Sequence, residues 1–156
     1  PRRKPSQKRV KVVLIAAITL DGFIARSSKD KMEWSLDQHL FKKQTTSHTV
    51  FIGSTTAKLL STLLPNRNLV VINRSSNPKK LISSVKDDYC FVAGGARTNL
   101  LFFEEITDMF LTPHPLFFKK GLSLFHGGSK KIQTKLNKRL RVDSVKDLYQ
   151  YQYTIK

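Results

Sequence analysis

Short apolar runs alternate with more polar segments along the chain, and they predict a series of buried strands. The first run, at residues 12–20, reads V-V-L-I-A-A-I-T-L without glycine, proline or charge, which is typical of a strand covered on both faces. The turn pair Asp21-Gly22 follows, and the apolar pattern resumes at residues 23–25. Shorter apolar runs predict strands at residues 49–52, 68–73, 89–93 and 108–112.

The segments between these runs predict helices. Ser35 is a candidate N-cap for a helix at residues 36–44, in which apolar side chains share one face. The hydroxyl residues 54–56 are candidate caps for a second helix that reaches about Leu63. Further along, the pattern predicts a polar loop at 74–80, a weak helical turn at 81–85 and a helix at 97–104.

The C-terminal part has a different pattern. Residues 140–142 and 149–155 alternate between polar and apolar positions, as an exposed antiparallel pair does. Strands that alternate with helices predict an α/β sheet with helices on both faces. The sequence shows no internal repeat and no second domain, so we expect a flexible basic arm at residues 1–9 and one domain at residues 10–156.

Composition and charge narrow the class of protein. At 156 residues, 40% of them hydrophobic, the chain can bury a core as one globular domain. The formal net charge is +17, and the two ends are the most basic parts. Such ends attract polyanions, for example RNA or an anionic membrane, through a salt-sensitive and non-specific contact. Alternatively they form a solvated basic surface, which we favour because no RNA-binding motif of interleaved aromatic and basic residues is present.

Several kinds of site have little support. Cys90 is the only cysteine, so the chain has no internal disulfide framework, and its apolar neighbours indicate a packed thiol. No run of 18 apolar residues occurs, so we expect no membrane span and a cytoplasmic location. The histidines lack the spacing of metal ligands, so we assign no metal. They are His39, His48, His114 and His126.

Three predicted strand-to-helix junctions carry glycine or small hydroxyl residues, at 53–56, 73–75 and 94–97. Glycine lets a backbone approach a ligand closely, and helix N-termini favour phosphate oxygens. In open α/β sheets, ligands gather at the carboxyl ends of strands, where these junctions lie. Together with Arg74 and Arg97, they indicate a dinucleotide site. The fingerprint G-x-G-x-x-G is absent, so the site is not an ordinary Rossmann site.

The order of these pieces resembles a known superfamily. The matching segments are I-A-A-I-T-L-D-G-F-I-A, W-S-L-D-Q-H-L-F-K, V-F-I-G-S-T-T, L-P-N-R-N-L-V-V-I-N-R, V-A-G-G-A-R and F-L-T-P-H-P-L-F, which together cover about residues 10–125. The chain resembles the dihydrofolate reductase superfamily, including the reductase domain of riboflavin-biosynthesis deaminase-reductases. The resemblance implies a single-domain, three-layer α/β fold with a mostly parallel central sheet and antiparallel C-terminal strands.

The resemblance also assigns substrate residues. Asp37 matches the catalytic carboxylate that grips the amino group and ring nitrogen of a pterin; the alternative is an Asp stabilised by the helix dipole. Arg67 matches the arginine that pairs with the glutamate carboxylate of folate, or it is a solvated turn arginine. The other positions that match substrate-binding residues are Ile15, Ala17, Trp34, Phe41 and Thr112, whose hydroxyl would support the carboxylate.

By the same resemblance, the glycine-containing junctions hold NADPH. Ser54 stands where a basic residue frequently grips the 2′-phosphate, but Arg74 matches another such position, so NADPH is favoured over NADH. Ala96 replaces the third glycine of the usual G-G-G. The matching cofactor-binding positions are Ala17, Ile24, Gly53, Ser54, Thr55, Thr56, Asn73, Arg74, Ser75, Gly94, Gly95, Ala96, Arg97 and Thr98.

Three functions remain open at this stage. The first is NADPH-dependent reduction of a pterin-like substrate, most simply 7,8-dihydrofolate to tetrahydrofolate, which Arg67 favours. The second is reduction of a ribosylaminopyrimidine in riboflavin synthesis. His114 belongs to a segment that resembles this second branch more closely, and we interpret it as structural. The third is a non-catalytic basic protein that binds RNA or a ribonucleoprotein. The sequence does not indicate an oligomeric state.

Overall fold

The computed structural model describes residues 9–60, 66–142, 145 and 147–156. The expected basic arm lies outside the described residues except for Arg9, and so does the expected end of the second helix at residues 61–63. No helix in the described ranges is long and apolar enough to cross a membrane.

The described residues form nine strands and four α-helices. The strands are β1 (Lys11–Thr19), β2 (Phe23–Ala25), β3 (Thr49–Gly53), β4 (Asn68–Ile72), β5 (Tyr89–Val92), β6 (Asp108–His114), β7 (Leu122–Ser123), β8 (Thr134–Arg141) and β9 (Tyr149–Ile155). The helices are α1 (Gln38–Thr45), α2 (Ser54–Leu60), α3 (Pro78–Ser83) and α4 (Ala96–Leu101), and a 3₁₀-helix follows at Phe103–Glu105.

Seven strands form one sheet in the order β4-β3-β5-β1-β6-β9-β8, and β2 pairs with β7 in a separate two-stranded sheet. The five strands from β4 to β6 run parallel, whereas β9 and β8 are antiparallel to their neighbours. The expected architecture is therefore confirmed. The apolar β1 lies at the centre, with Val13 opposite Phe91 on one side and Asp108 on the other.

Alternation along β1 builds a core on each face of the sheet. Val12 and Leu14 pack in one apolar cluster with Ile82 of α3 and Phe102 at the end of α4. Val13 and its equivalents on the other face form a second cluster, to which α1 contributes. Because successive strand residues point to opposite faces, one apolar run serves both clusters. Helices thus cover both faces of the sheet in three layers.

Two helix boundaries differ from the sequence prediction. Helix α1 begins at Gln38, and Asp37 instead of Ser35 occupies its N-cap position. Helix α3 begins at Pro78, within the segment predicted as a loop, because the Asn77 side chain accepts a hydrogen bond from the Lys80 N–H and proline suits the first helical turn.

The other differences concern the lengths of α4, β6 and β8. The predicted helix at 97–104 is a shorter α4 followed by the 3₁₀-helix, and β6 continues to His114 through Pro113. Strand β8 was predicted only from Leu140. It begins at Thr134, and all but one of its residues are exposed, so it lacks the alternation that identifies a half-buried strand.

Candidate active site

A cleft of about 1200 Å³ opens at the carboxyl ends of the parallel strands β1, β3, β4 and β5. Its wall brings together most of the predicted site residues. Those that line it are Ile15, Ala17, Ile24, Asp37, Phe41, Gly53, Ser54, Thr55, Thr56, Asn73, Arg74, Gly94, Gly95, Ala96, Arg97 and Thr98. Because four parallel strands end there, residues from distant parts of the sequence meet at one edge of the sheet.

Asp37 is one of two buried carboxylates that line this cleft, and Asp30 is the other. The Asp37 side chain is 9% exposed. It occupies the N-cap position of α1, but its carboxylate accepts no capping hydrogen bond from that helix. Instead, Oδ1 accepts a 2.7 Å hydrogen bond from the Ser35 hydroxyl. The carboxylate therefore makes no capping bond to α1, and it lies at the cleft wall.

Apolar side chains flank this carboxylate. Ile15 and Ala17, on the last part of β1, and Phe41, on α1, line the cleft together with Asp37. Gln38 and Lys42 of α1 add polar groups to the same wall. An apolar slot with one buried carboxylate is suited to a flat heteroaromatic ring that carries an N–H group.

Trp34 does not line the cleft. Its ring meets the rings of His114 and Phe118 edge-on, at centroid distances of 5.2 and 5.1 Å. Its Nε1 donates a 3.3 Å hydrogen bond to Asp30. Trp34 therefore packs the segment before α1 against His114 and Phe118 instead of facing the cleft.

Thr112 and Arg67 also lie outside the cleft wall. The Thr112 hydroxyl is buried and has no hydrogen-bond partner among the described residues, and the contact with Asp37 that was expected of it is made by Ser35. The Arg67 guanidinium donates to the Lys42 carbonyl and, at 2.7 Å, to the Thr45 hydroxyl, so it closes the C-terminal end of α1. Burial lowers the pKa of Arg67.

The loop after β2 forms a further part of the wall, and none of its residues was assigned to the site from the sequence. Asp30 is its centre: its carboxylate accepts hydrogen bonds from the backbone N–H, Nε and Nη2 of Arg26 and from the Met32 N–H. Burial alone would raise the pKa of Asp30, but these hydrogen bonds and the Arg26 charge lower it well below its usual range. The spacing of Arg26 and Asp30 was the available signal.

The opposite wall contains the three glycine-containing junctions. A Cβ on Gly53 would lie 2.8 Å from Thr98 Oγ1, so the Thr98 side chain leaves too little room for one. The Gly53 N–H donates to the Gly94 carbonyl at 2.8 Å, and the Gly94 N–H donates to Asn99 Oδ1 at 3.1 Å. Gly94 has a φ of +87°, which favours glycine. Asn99 thus orders this wall, although the sequence analysis did not single it out.

Cationic side chains accompany these junctions. Arg74 and Arg97 line the cleft, and so does His126, which the sequence analysis did not place there. Ser75 lies outside the wall, because its N–H and hydroxyl both donate to Asn73 Oδ1 in a local turn. Within the described residues, no group of His, Cys, Asp or Glu could hold a metal ion.

Comparison with known proteins identifies relatives of this architecture. The family model described as dihydrofolate reductase matches residues 11–114, about two thirds of the chain. The fold is similar to that of a protein from Shewanella sp. PV-4 described as a riboflavin biosynthesis protein, with a TM-score of 0.68 and 16% sequence identity. The match covers 94% of this chain and 99% of that chain. The fold is also similar to that of dihydrofolate reductase from Enterococcus faecalis complexed with NADP(H) and RAB-propyl (TM-score 0.66, 18% identity, 94% and 96%). No curated protein matches the sequence.

Proposed function

The chain belongs to the dihydrofolate reductase family, and from that premise we propose that it is an NADPH-dependent reductase of a pterin-like substrate, with 7,8-dihydrofolate as the leading candidate. The observation that supports this most directly is the buried Asp37 carboxylate at the wall of a cleft that Ile15 and Phe41 also line. A carboxylate in this position can accept hydrogen bonds from an amino group and a ring nitrogen of the substrate.

Asp37 would then have two tasks. It would orient the ring by accepting its N–H groups, and it would favour a proton on the ring that becomes reduced. The apolar side chains beside it would exclude water, which strengthens both interactions. Removal of a general acid or base typically costs about 10²- to 10⁴-fold in rate.

The opposite wall fits a dinucleotide. The close approach at Gly53 and the open space beside Gly94, where an added Cβ would meet nothing within 4 Å, leave bare backbone facing the cleft. Arg74 and Arg97 supply the positive charge that phosphate groups need. NADPH, when bound, supplies the hydride. The residues of this wall would hold the cofactor and fix its orientation relative to the substrate.

The choice between the two substrates depends on the region near Arg67. For dihydrofolate, we propose that Arg67 pairs with the glutamate carboxylate. Its guanidinium already binds the end of α1, next to Lys42 of the cleft wall, so an anionic tail in this region would meet both cations. The alternative remains a ribosylaminopyrimidine of riboflavin synthesis. An anionic tail on that substrate would use the same charge, so turnover measured with each substrate has to separate the two.

The decisive experiment follows NADPH absorbance with each substrate. Wild type should oxidise NADPH with dihydrofolate, and Asp37→Asn should lose about 10²- to 10⁴-fold in kcat/KM. Asp87→Asn, the same change at a carboxylate that is 52% exposed and outside the cleft wall, serves as the control and should keep full turnover. Full activity of Asp37→Asn would refute the proposed mechanism, and turnover of the ribosylaminopyrimidine alone would replace the substrate.

A second candidate function is supported by the outer strands of the sheet. Strand β8 carries four Lys and Arg and no acidic residue, and it has a neighbouring strand on only one side among the described strands. Arg139 lies over the Tyr149 ring at 4.5 Å, and Tyr151 stacks on Tyr153. The rings of Tyr149 and Tyr151 are partly exposed, and arginine beside accessible aromatic rings is suited to single-stranded RNA. We propose that this surface makes the polyanion contact.

The strand provides its own matched control. Arg139 and Arg141 lie opposite tyrosines, whereas Lys135 and Lys138 pair with residues that point to the other face. The double variants Arg139→Gln/Arg141→Gln and Lys135→Gln/Lys138→Gln remove equal charge. Fluorescence anisotropy with a labelled oligouridine should show a larger loss of affinity for the arginine pair. Equal losses of affinity in the two double variants would show that only net charge attracts the RNA. Absence of RNA binding by the wild type would refute this second function.

A further inference from the structure

His114 lies next to the candidate active site, and its side chain is fully buried. It ends β6 between Pro113 and Pro115, with no exposed surface. Both ring nitrogens have partners: Nδ1 lies 2.8 Å from the Thr112 carbonyl oxygen, and Nε2 lies 2.9 Å from the Leu36 backbone nitrogen. Both hydrogen-bonding groups of the imidazole are therefore satisfied, and the two partners fix the orientation of the ring.

These two bonds define the protonation state of the ring. The Leu36 N–H is a donor, so Nε2 must be the unprotonated nitrogen that accepts it. The Thr112 carbonyl is an acceptor, so Nδ1 carries the hydrogen. Only a neutral imidazole with its hydrogen on Nδ1 satisfies both partners. His114 is thus a neutral bridge between β6 and the segment that precedes α1.

That segment carries Asp37. Leu36 is its neighbour in the chain, and His114 Nε2 lies 4.0 Å from Asp37 Oδ1. The hydrogen bond that the carboxylate receives comes from Ser35, which belongs to the same segment and would move with it. In the described part of the chain, the bond from Leu36 to His114 is the hydrogen bond that ties residues 34–37 to the sheet.

We propose that His114 is a positioning residue: through the Leu36 N–H, it holds residues 34–37 against β6 and so sets where the Asp37 carboxylate lies in the cleft. The inference rests on the proposed function, because Asp37 is the group through which His114 would act. The Trp34 ring, edge-on to the imidazole, keeps that ring in place.

Two variants of His114 are each designed to keep one of its two hydrogen bonds and to lose the other. The side chain of His114→Gln is long enough to bring a carbonyl oxygen to the position of Nε2, so it can still accept the Leu36 N–H. The shorter side chain of His114→Asn can still donate to the Thr112 carbonyl but does not reach Leu36. Each variant leaves one buried backbone group without its partner, so the two should be destabilised to a similar extent.

The expected result is a difference in kcat between two variants of similar thermal stability. His114→Asn should lose roughly 10- to 100-fold in kcat, because a displacement of a reacting group by about 1 Å has effects of this size, while His114→Gln stays within about threefold of wild type. The KM for NADPH, whose site lies on the opposite wall, should not differ between them. Amide hydrogen exchange at Leu36 should be fast only in His114→Asn.

Equal kcat values in the two variants would reduce His114 to a structural residue and overturn the inference. Lack of wild-type turnover with either substrate would refute the proposed function alone. The positioning of Asp37 would then be measured from the ¹³C shift of its carboxyl group. That shift should change in His114→Asn and not in His114→Gln, and an unchanged shift in both would overturn the inference.

Discussion

Gly53→Ala tests whether the close contact between β3 and α4 shapes the proposed cofactor wall. The new Cβ would lie 2.8 Å from Thr98 Oγ1, whereas the next atoms, Gly95 N and Gly94 O, are 3.5 and 3.6 Å away. Thr98 is 7% exposed and sits in the first turns of α4, where a β-branched side chain has few alternative rotamers. The clash must therefore be relieved by rotation of the Thr98 side chain or by movement of β3 and α4.

Overpacking of this kind costs about 1–3 kcal/mol. For a chain of this size, 1 kcal/mol corresponds to a melting-temperature change of about 2–4 °C, so Gly53→Ala should lower the midpoint by roughly 2–12 °C. The movement should also weaken the binding of NADPH, because Gly53 and Thr98 both line the cleft. Differential scanning calorimetry and a fluorescence titration with NADPH measure the two effects.

The Thr98→Ala background isolates the cause. It removes the one atom closer than 3.4 Å to the new Cβ, so Gly53→Ala should cost much less there. Contacting residues typically show coupling energies of about 0.5–3 kcal/mol in such cycles. If Gly53→Ala destabilises both backgrounds equally, the close contact with Thr98 is not the reason for glycine at this position.

Three further predictions concern other parts of the molecule. The pKa of Asp30 is lowered on folding, so its stabilising contribution is complete above its unfolded pKa of about 3.9 and is lost as the pH falls toward the lower folded value. In urea unfolding, the free energies of unfolding of wild type and Asp30→Asn should converge below about pH 4, and a difference that stays constant with pH would contradict this. Burial raises the pKa of Cys90 to about 12, so a thiol reagent should modify it only after unfolding; rapid native labelling would disprove the burial. Arg67→Met should lower the free energy of unfolding by about 1–3 kcal/mol because its bonds to the end of α1 are lost, and a neutral effect in urea titration would show that they contribute nothing.

The parallel part of the sheet could be predicted from the sequence because its strands are buried on both faces. The apolar runs at residues 49–52 and 89–93 coincide closely with β3 and β5. Strand β8 could not be recognised in the same way, because its residues are nearly all exposed and half of them are charged, which gives no period. It is identified as a strand only through its pairing with β9, which is a long-range contact.

The candidate site was predictable where it depends on backbone position and less so where it depends on side-chain direction. Gly53 and Gly94 reach the cleft because they end parallel strands. Trp34 and Ser75 have neighbours in the wall, but the Trp34 ring turns to His114 and Phe118, and the Ser75 hydroxyl is used in a local turn with Asn73. His114 could not be connected with Leu36 from the sequence, because 78 residues separate them and only the sheet brings them together.

Three local conflicts in the structure lie at or near the cleft. Asp37 occupies an N-cap position without capping α1, which forgoes a contribution of about 0.5–2 kcal/mol that such a residue usually makes. Gly94 holds a positive φ at the same cleft, and Thr112, next to the strand end that His114 fixes, keeps a buried hydroxyl without a partner in the described residues. A sequence under selection for stability alone would tend to remove such features. Because they lie around the buried carboxylate and the bare backbone opposite it, the conflict at Asp37 is more informative about function than the apolar pattern that surrounds it.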